Sequence, residues 1–220
     1  MSFDHIKNSS LIIPSVIDTT NRVERISDIF SRLLRERIVF IYGTIDDFAA
    51  AVICAQLLHL EAENPEKEIS VYLNTPGGLV TSGLAIYDTM NFIKPKVSTL
   101  CFGQAASTGA FLLAAGTKGL RYCLPHSRIM LHQPSASFSG QASDIALYGQ
   151  ETVALKRRVN DLFVKHTGQD YKTIERALER DNFMTPEKAR EFGLIDEVLT
   201  DRATAEQNEN ADSATKTTIL

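Results

Sequence analysis

Two observations predict an α/β fold for this 220-residue chain. Short runs rich in Val, Ile, Leu and Phe alternate with longer segments whose apolar residues recur at three- and four-residue spacing. Two of the runs end in glycine-bearing junctions, Asn74-Thr-Pro-Gly-Gly78 and Gly103-Gln-Ala-Ala-Ser-Thr-Gly109, before an apolar helical pattern resumes. No Pro/Gly-rich linker divides the middle of the chain, so one domain is predicted.

Taken in order, the segment 21–37 has Val23, Ile26, Ile29, Phe30, Leu33 and Leu34 at helical spacing with charges between them. Ile38–Tyr42 is a short β run stopped by Gly43. Asp46 and Asp47 open an Ala- and Leu-rich helix through Leu60, ended by the polar stretch EAENPEKE. A β run at Ile69–Leu73 leads into the Gly77-Gly78 junction and a helix over Leu79–Ile93. Val97–Phe102 is a strand, Ser107–Ala115 a helix, Arg128–Leu131 a strand and Asp144–His166 a long helix. Gly168 stands at a helix C-cap position. A helix over 171–180 and another opening at Thr185-Pro-Glu-Lys close the folded part. From Asp201 the chain loses its apolar residues, a composition that predicts a disordered tail over 201–220.

Composition excludes several classes. Hydrophobic residues are 44% and charged residues 23%, which rules out wholesale disorder. With 23 basic against 27 acidic residues the net charge is −4, which argues against a general electrostatic grip on nucleic acid. Cys54, Cys101 and Cys123 are an odd number without paired spacing, as expected of free thiols in a reducing compartment. Met1–Ser10 lacks the basic start and apolar run of a secretory signal, so a cytoplasmic location is expected. The uncharged interval between Lys96 and Lys118 is long enough to cross a bilayer, but it holds three glycines, a Gln and five hydroxyl residues. No membrane span is expected.

Nucleophilic acyl transfer needs a hydroxyl, a base, a group that orients the base and donors for the developing oxyanion. Ser107 lies where an apolar strand meets an apolar helix, close to unpaired helix N-terminal N–H groups. A serine there is equally a favoured helix N-cap. His132 ends the run Arg128-Ile-Met-Leu-His132-Gln-Pro, and Pro134 forbids a continued central ladder. It could also be an ordinary hydrogen-bonded histidine. His126 reads as a turn residue and His166 as a helix C-terminal cation facing the dipole. The orienting acid is one of Asp144, Asp161, Asp170, Asp181 or Asp196, and residue pattern alone does not choose among them. Asp181 sits in a short connection from which a carboxylate can turn inward. Paired Gly77-Gly78 let a backbone N–H face a ligand, or simply make a tight turn. No metal-ligand spacing and no phosphate-binding loop is present, so no metal is expected.

The segments NTPGG (74–78), GQAASTGAFLLAAG (103–116), RIMLHQP (128–134) and ERDNF (179–183) resemble the proteolytic subunits of ATP-dependent Clp proteases. SRLLRERIVF, LEAENPEK and IYDTM extend the resemblance, which covers residues 13–199. It implies a ClpP/crotonase-type α/β domain over 13–200, with a protruding strand–helix handle and an N-terminal extension over 1–12 that reads as a removable propeptide. The matching positions make Ser107 the nucleophile, His132 the base and Asp181 its orienting acid. Gly78 and Thr108 would supply the oxyanion N–H groups. The resemblance further implies a homo-oligomer of two stacked heptameric rings that cleaves unfolded proteins. A hexameric AAA+ unfoldase would consume the ATP, with no cofactor in this subunit. Docking of that unfoldase falls on Tyr72, Phe92, Leu100, Phe102, Tyr122 and Leu199, all of which could equally be core residues.

Two positions depart from the family pattern. Thr108 replaces the common Met after the nucleophile, and Ser135-Ala-Ser-Phe-Ser139 replaces a Gly-rich stretch leading into the handle. The rivals are a crotonase-type acyl-CoA enzyme, which needs no Ser-His-Asp set, and a non-catalytic ring subunit paired with an active paralogue.

Overall fold

The computed structural model describes residues 13–20 and 23–201. The expected extension over 1–12 and, past Asp201, the expected tail lie outside the described residues. The chain opens with β1 (Ser15–Thr20) and β2 (Val23–Asp28), an antiparallel hairpin in which Ile17 faces Ile26. Then come α1 (Ile29–Arg35), β3 (Ile38–Tyr42), α2 (Asp47–Glu63), β4 (Ile69–Thr75), α3 (Val80–Phe92) and β5 (Val97–Ala106). The order continues with α4 (Thr108–Ala114), β6 (Arg121–Cys123), β7 (Arg128–Leu131), α5 (Ala142–Thr167) and α6 (Tyr171–Leu178). Last are β8 (Asn182–Met184), α7 (Pro186–Phe192) and β9 (Glu197–Val198).

The hairpin corrects the helix expected over 21–37. Asp28 caps the helix there, its carboxylate accepting from the Ser31 N–H at 2.9 Å, so α1 starts only at Ile29. The residues before the cap pair with β1 instead. The apolar spacing was shared by both readings, and the cap decides between them.

Strands β3, β4, β5, β6 and β9 lie side by side in parallel, as crossover helices require. Alternation along β4 buries Ile69, Val71, Leu73 and Thr75 on one face. That face packs with Ile53, Leu57, Leu60, Ile86, Leu112 and Leu113 into one core. Between Leu73↔Cys101 and Thr75↔Ala105, two steps of β4 match four of β5. The bulge falls at Gly103, whose φ of +86° bends the strand. Past the bend β5 changes partner, pairing β6 before it and β7 after it.

Two buried arginines tie elements together. Arg37 donates to the carbonyls of Leu60, Asn64, Lys67 and Glu68, closing the end of α2. Arg121 donates through Nε and Nη2 to Asp196 (2.9 and 2.6 Å) and through Nη1 to the carbonyls of Ala114, His166 and Gly193. Those carbonyls end α4, α5 and α7, so a single cation answers three helix dipoles. Burial pushes the Asp196 carboxyl up, but Arg121 and two backbone N–H groups more than offset this and hold it below the ordinary range.

The apolar stripe of α5 divides in two. Val159 and Phe163 are buried in the subunit's own core, whereas Ile145, Leu147, Tyr148 and Val153 stand exposed on the first half of the helix. That half projects from the domain. Residues 133–139 form no strand, so the expected strand–helix handle is a helix preceded by irregular chain. Pro134 lacks a donor, and beyond Leu131 this segment has no strand beside it among the described residues.

Candidate active site

Strand β7 organises the site. On one side it pairs with β5 through Ala105↔Ile129 and Ala106↔Met130, and the Ser107 N–H donates to the Met130 carbonyl at 2.8 Å. On the other side it runs antiparallel to β8, with Leu131 opposite Asn182. One step beyond that pair, His132 lies opposite Asp181. Its Nε2 is 2.7 Å from the Ser107 Oγ, and its Nδ1 is 3.2 Å from the Asp181 Oδ1. With the ring proton on Nδ1, that nitrogen donates to Asp181 and Nε2 accepts from the Ser107 hydroxyl. The Gln133 side chain donates to the Glu179 carbonyl at 2.9 Å, holding the connection that carries Asp181 against the strand that carries His132.

Ser107 occupies the N-cap position of α4 but makes no side-chain cap. Its φ of +54° and ψ of −121° lie outside the usual N-cap region, and its oxygen is turned to His132 rather than to its own helix. The ordinary capping role is therefore excluded for this serine. The other aspartates are engaged elsewhere or remain apart. Asp170 caps α6, with the Thr173 hydroxyl and N–H lowering its carboxyl below the usual range. Asp196 holds Arg121. Asp144 lies in the exposed first turn of α5 and Asp161 is exposed further along it.

His166 is corrected. Burial lowers its pKa to about 4, with the charges of Lys165 and Arg121 adding to the effect. At neutral pH it is an uncharged ring bonded to the Tyr87 hydroxyl at 3.0 Å, not a cation at a helix terminus. The dipole is met by Arg121 instead.

The Gly77-Gly78 loop presses on Ser107. A Cβ at Gly77, where φ is +92°, would stand 2.7 Å from the Ala106 oxygen and 2.8 Å from the Ser107 Cβ. The Gly77 carbonyl accepts from Ile45 N–H at 2.9 Å, and the Ile45 carbonyl accepts from Leu79 N–H at 2.8 Å. Because C=O and N–H point oppositely in a trans peptide, the bond to Ile45 turns the Gly78 N–H away from Ile45. Thr108 opens α4, so its N–H has no intrahelical partner. Neither N–H donates to an acceptor among the described residues. Sequence reading missed Ile45, whose only signal was its place just before the Asp46 cap.

Beside Ser107 and His132 lies a cleft lined by Val80, Thr108, Phe111, Pro134, Val159 and Phe163. Val159 and Phe163 reach it from the buried half of α5. Among the expected docking residues, Tyr72, Leu100 and Tyr122 are register partners across β4, β5 and β6 on the half-buried sheet face. Phe40 and Phe102 contact the Tyr72 ring at 5.5 and 6.2 Å. Phe92 is apart from this row, 80% exposed at the end of α3, and Leu199 is buried just past β9. Among the described residues, no group of three or more His, Cys, Asp or Glu side chains is placed to hold a metal ion. No helix there is long and apolar enough to cross a membrane.

A model of the Clp protease family matches residues 21–202, a span that contains every residue of this site. With the mostly parallel sheet and seven helices described above, that match makes the chain a protease and a member of the Clp protease family.

Proposed function

We propose that this chain is the serine endopeptidase subunit of a self-compartmentalised protease, cleaving unfolded proteins to short peptides. The observation that carries the reading is the continuous chain from the Ser107 Oγ through the His132 ring to the Asp181 carboxylate. In this mechanism His132 Nε2 takes the proton as Ser107 Oγ bonds to the substrate carbonyl carbon. The negative oxygen so formed lies between the N–H groups of Gly78 and Thr108. Collapse breaks the C–N bond, and His132 returns its proton to the departing amine, leaving an ester on Ser107. His132 then deprotonates a water, whose oxygen attacks the ester, and the acid product leaves with Ser107 reprotonated. Asp181 stays ionised and steadies the imidazolium. The apolar cleft favours an apolar side chain just before the scissile bond.

The assembly part of the proposal is two stacked heptameric rings fed by a hexameric AAA+ unfoldase. That partner hydrolyses ATP, and this subunit holds no cofactor. Two apolar surfaces support it: the exposed first half of α5 between rings, and the half-buried Phe40–Tyr72–Phe102 face for the unfoldase. Ser107→Ala tests the chemistry. Loss of fluorogenic-peptide hydrolysis and of fluorophosphonate labelling, with oligomer size unchanged, is expected. Retained hydrolysis would overturn the assignment.

A further inference from the structure

The two oxyanion donors of the proposed mechanism come from different chain segments, the loop after β4 and the first turn of α4. Nothing in the backbone ladders joins those segments directly. The Thr108 side chain does: its Oγ1–H donates to the Gly78 carbonyl at 3.2 Å. The rotamer is held from the opposite side. A Cβ on Gly83 would stand 2.0 Å from the Thr108 Cγ2, so the methyl fills the space that Gly83 leaves and Oγ1 is turned to Gly78. Thr108 is itself buried while Gly78 is exposed, so the bond ties the surface loop to the core end of α4. The Gly78 peptide is thus fixed from two sides, by Ile45 through Gly77 and Leu79, and by Thr108 through its own carbonyl.

We propose that the Thr108 hydroxyl is a positioning group that sets the spacing between the Gly78 and Thr108 N–H donors. The inference rests on the serine-peptidase reading above. The donors must hold an oxygen at about 2.7–3.1 Å that exists only once the tetrahedral intermediate forms. A clip that fixes their spacing therefore acts on kcat and leaves ground-state binding alone.

A pair of variants separates this from plain packing. Thr108→Val keeps the methyl against Gly83 and removes the hydroxyl, while Thr108→Ser keeps the hydroxyl and removes the methyl. Positioning predicts about a tenfold fall in kcat for Thr108→Val at unchanged KM, with Thr108→Ser within about twofold of the parent chain. A peptide aldehyde, whose hemiacetal oxygen occupies the same place, should bind Thr108→Val about tenfold more weakly. Packing predicts the reverse order, with Thr108→Ser the poorer enzyme and its kcat tracking thermal stability. That order, or equal kcat in Thr108→Val and the parent, would overturn the inference. Ser107→Ala in the same series separates the two levels: if it stays active the serine-peptidase reading itself fails, and if it is dead only the role of Thr108 is in question.

Discussion

Gly78→Ala is the substitution whose consequence follows most directly from the geometry. The added Cβ would stand 2.1 Å from the Ile45 carbonyl oxygen and 2.7 Å from that residue's N and carbonyl C, all backbone atoms that no rotamer change can move. Restoring van der Waals contact requires the loop to withdraw by about 1 Å. Withdrawal breaks the two hydrogen bonds to Ile45, at about 1 kcal/mol each, so a stability loss of about 2 kcal/mol is expected. The catalytic loss should be larger. A reacting group misplaced by about 1 Å loses roughly 10²-fold, and removal of one oxyanion donor loses about 10²–10³. Initial rates on a fluorogenic peptide should show kcat lower by about 10²–10³ with KM within about twofold. Gly119→Ala is the matched control: its φ of +90° strains an alanine by about 1–2 kcal/mol, yet no atom lies within 4 Å. It should melt earlier and keep its kcat. A Gly78→Ala enzyme with kcat within threefold of the parent would refute the donor role. A loss shared equally by Gly119→Ala would trace it to stability.

Asp181→Asn should slow turnover by about 10²–10³, less than the ~10⁴ of a buried orienting aspartate, because the Asp181 side chain is 62% exposed and 3.2 Å from the ring. Single-turnover acylation rates check this, and an unchanged rate would remove Asp181 from the mechanism. For His166 the folded pKa is about 4 against an ordinary 6.5, so the unfolded chain binds the extra proton between those values. Its contribution is complete above about pH 6.5 and is lost as pH falls toward 4. The full gap corresponds to about 3 kcal/mol, and partial exposure of the ring reduces this to roughly 1.5 kcal/mol. Urea midpoints at pH 7 and pH 5, at one protein concentration, should fall further for the parent than for His166→Gln. In α5, Val153→Asp puts a charge at a position 68% exposed in the subunit, where it costs the fold little. On the proposed assembly, sedimentation velocity should then show single rings, whereas unchanged stacked rings would clear this face of the inter-ring role. Leu155 would be a poorer choice, since it is half-buried against its own subunit.

Ser107 and His132 were legible because each ends an apolar run long enough to read as a strand, and such ends are where side chains leave the sheet. Asp181 was not legible from pattern. Its position depends on β8, three residues long with Phe183 exposed, a run too short to show alternation. The resemblance supplied what periodicity lacked. Strands β6 and β9 were missed for the same reason, with three and two residues. They are strands only because β5 offers an open edge to β6, and β6 to β9, a tertiary fact invisible in local sequence. His166 was misread because its place in the last turn of α5 suggests a cation, while its burial against Tyr87 depends on residues 79 positions away. The hairpin β1–β2 was different. Its signal was present in Asp28-Ile-Phe-Ser31, a helix start that apolar spacing overrode.

The small residues around Ser107 let two chain junctions pack directly on each other. A Cβ at Gly77 would strike the Ala106 oxygen and the Ser107 Cβ, and one at Gly109 would stand 2.5 Å from the Thr75 Cγ2. Both glycines let the β4 junction lie directly on the β5–α4 turn. The contact is needed because Ser107 holds a positive φ, which for a residue with a Cβ costs about 1–3 kcal/mol unless the surroundings over-determine it. Here they do. The Ser107 N–H is fixed to Met130 and its carbonyl to the Phe111 N–H, while Gly77 closes the remaining side. Relaxing φ to the usual helix-cap region would swing the Oγ toward the first turn of α4 and away from His132. The strain and the hydrogen bond to His132 are thus one arrangement, and the glycines on either side of Ser107 are what make it reachable.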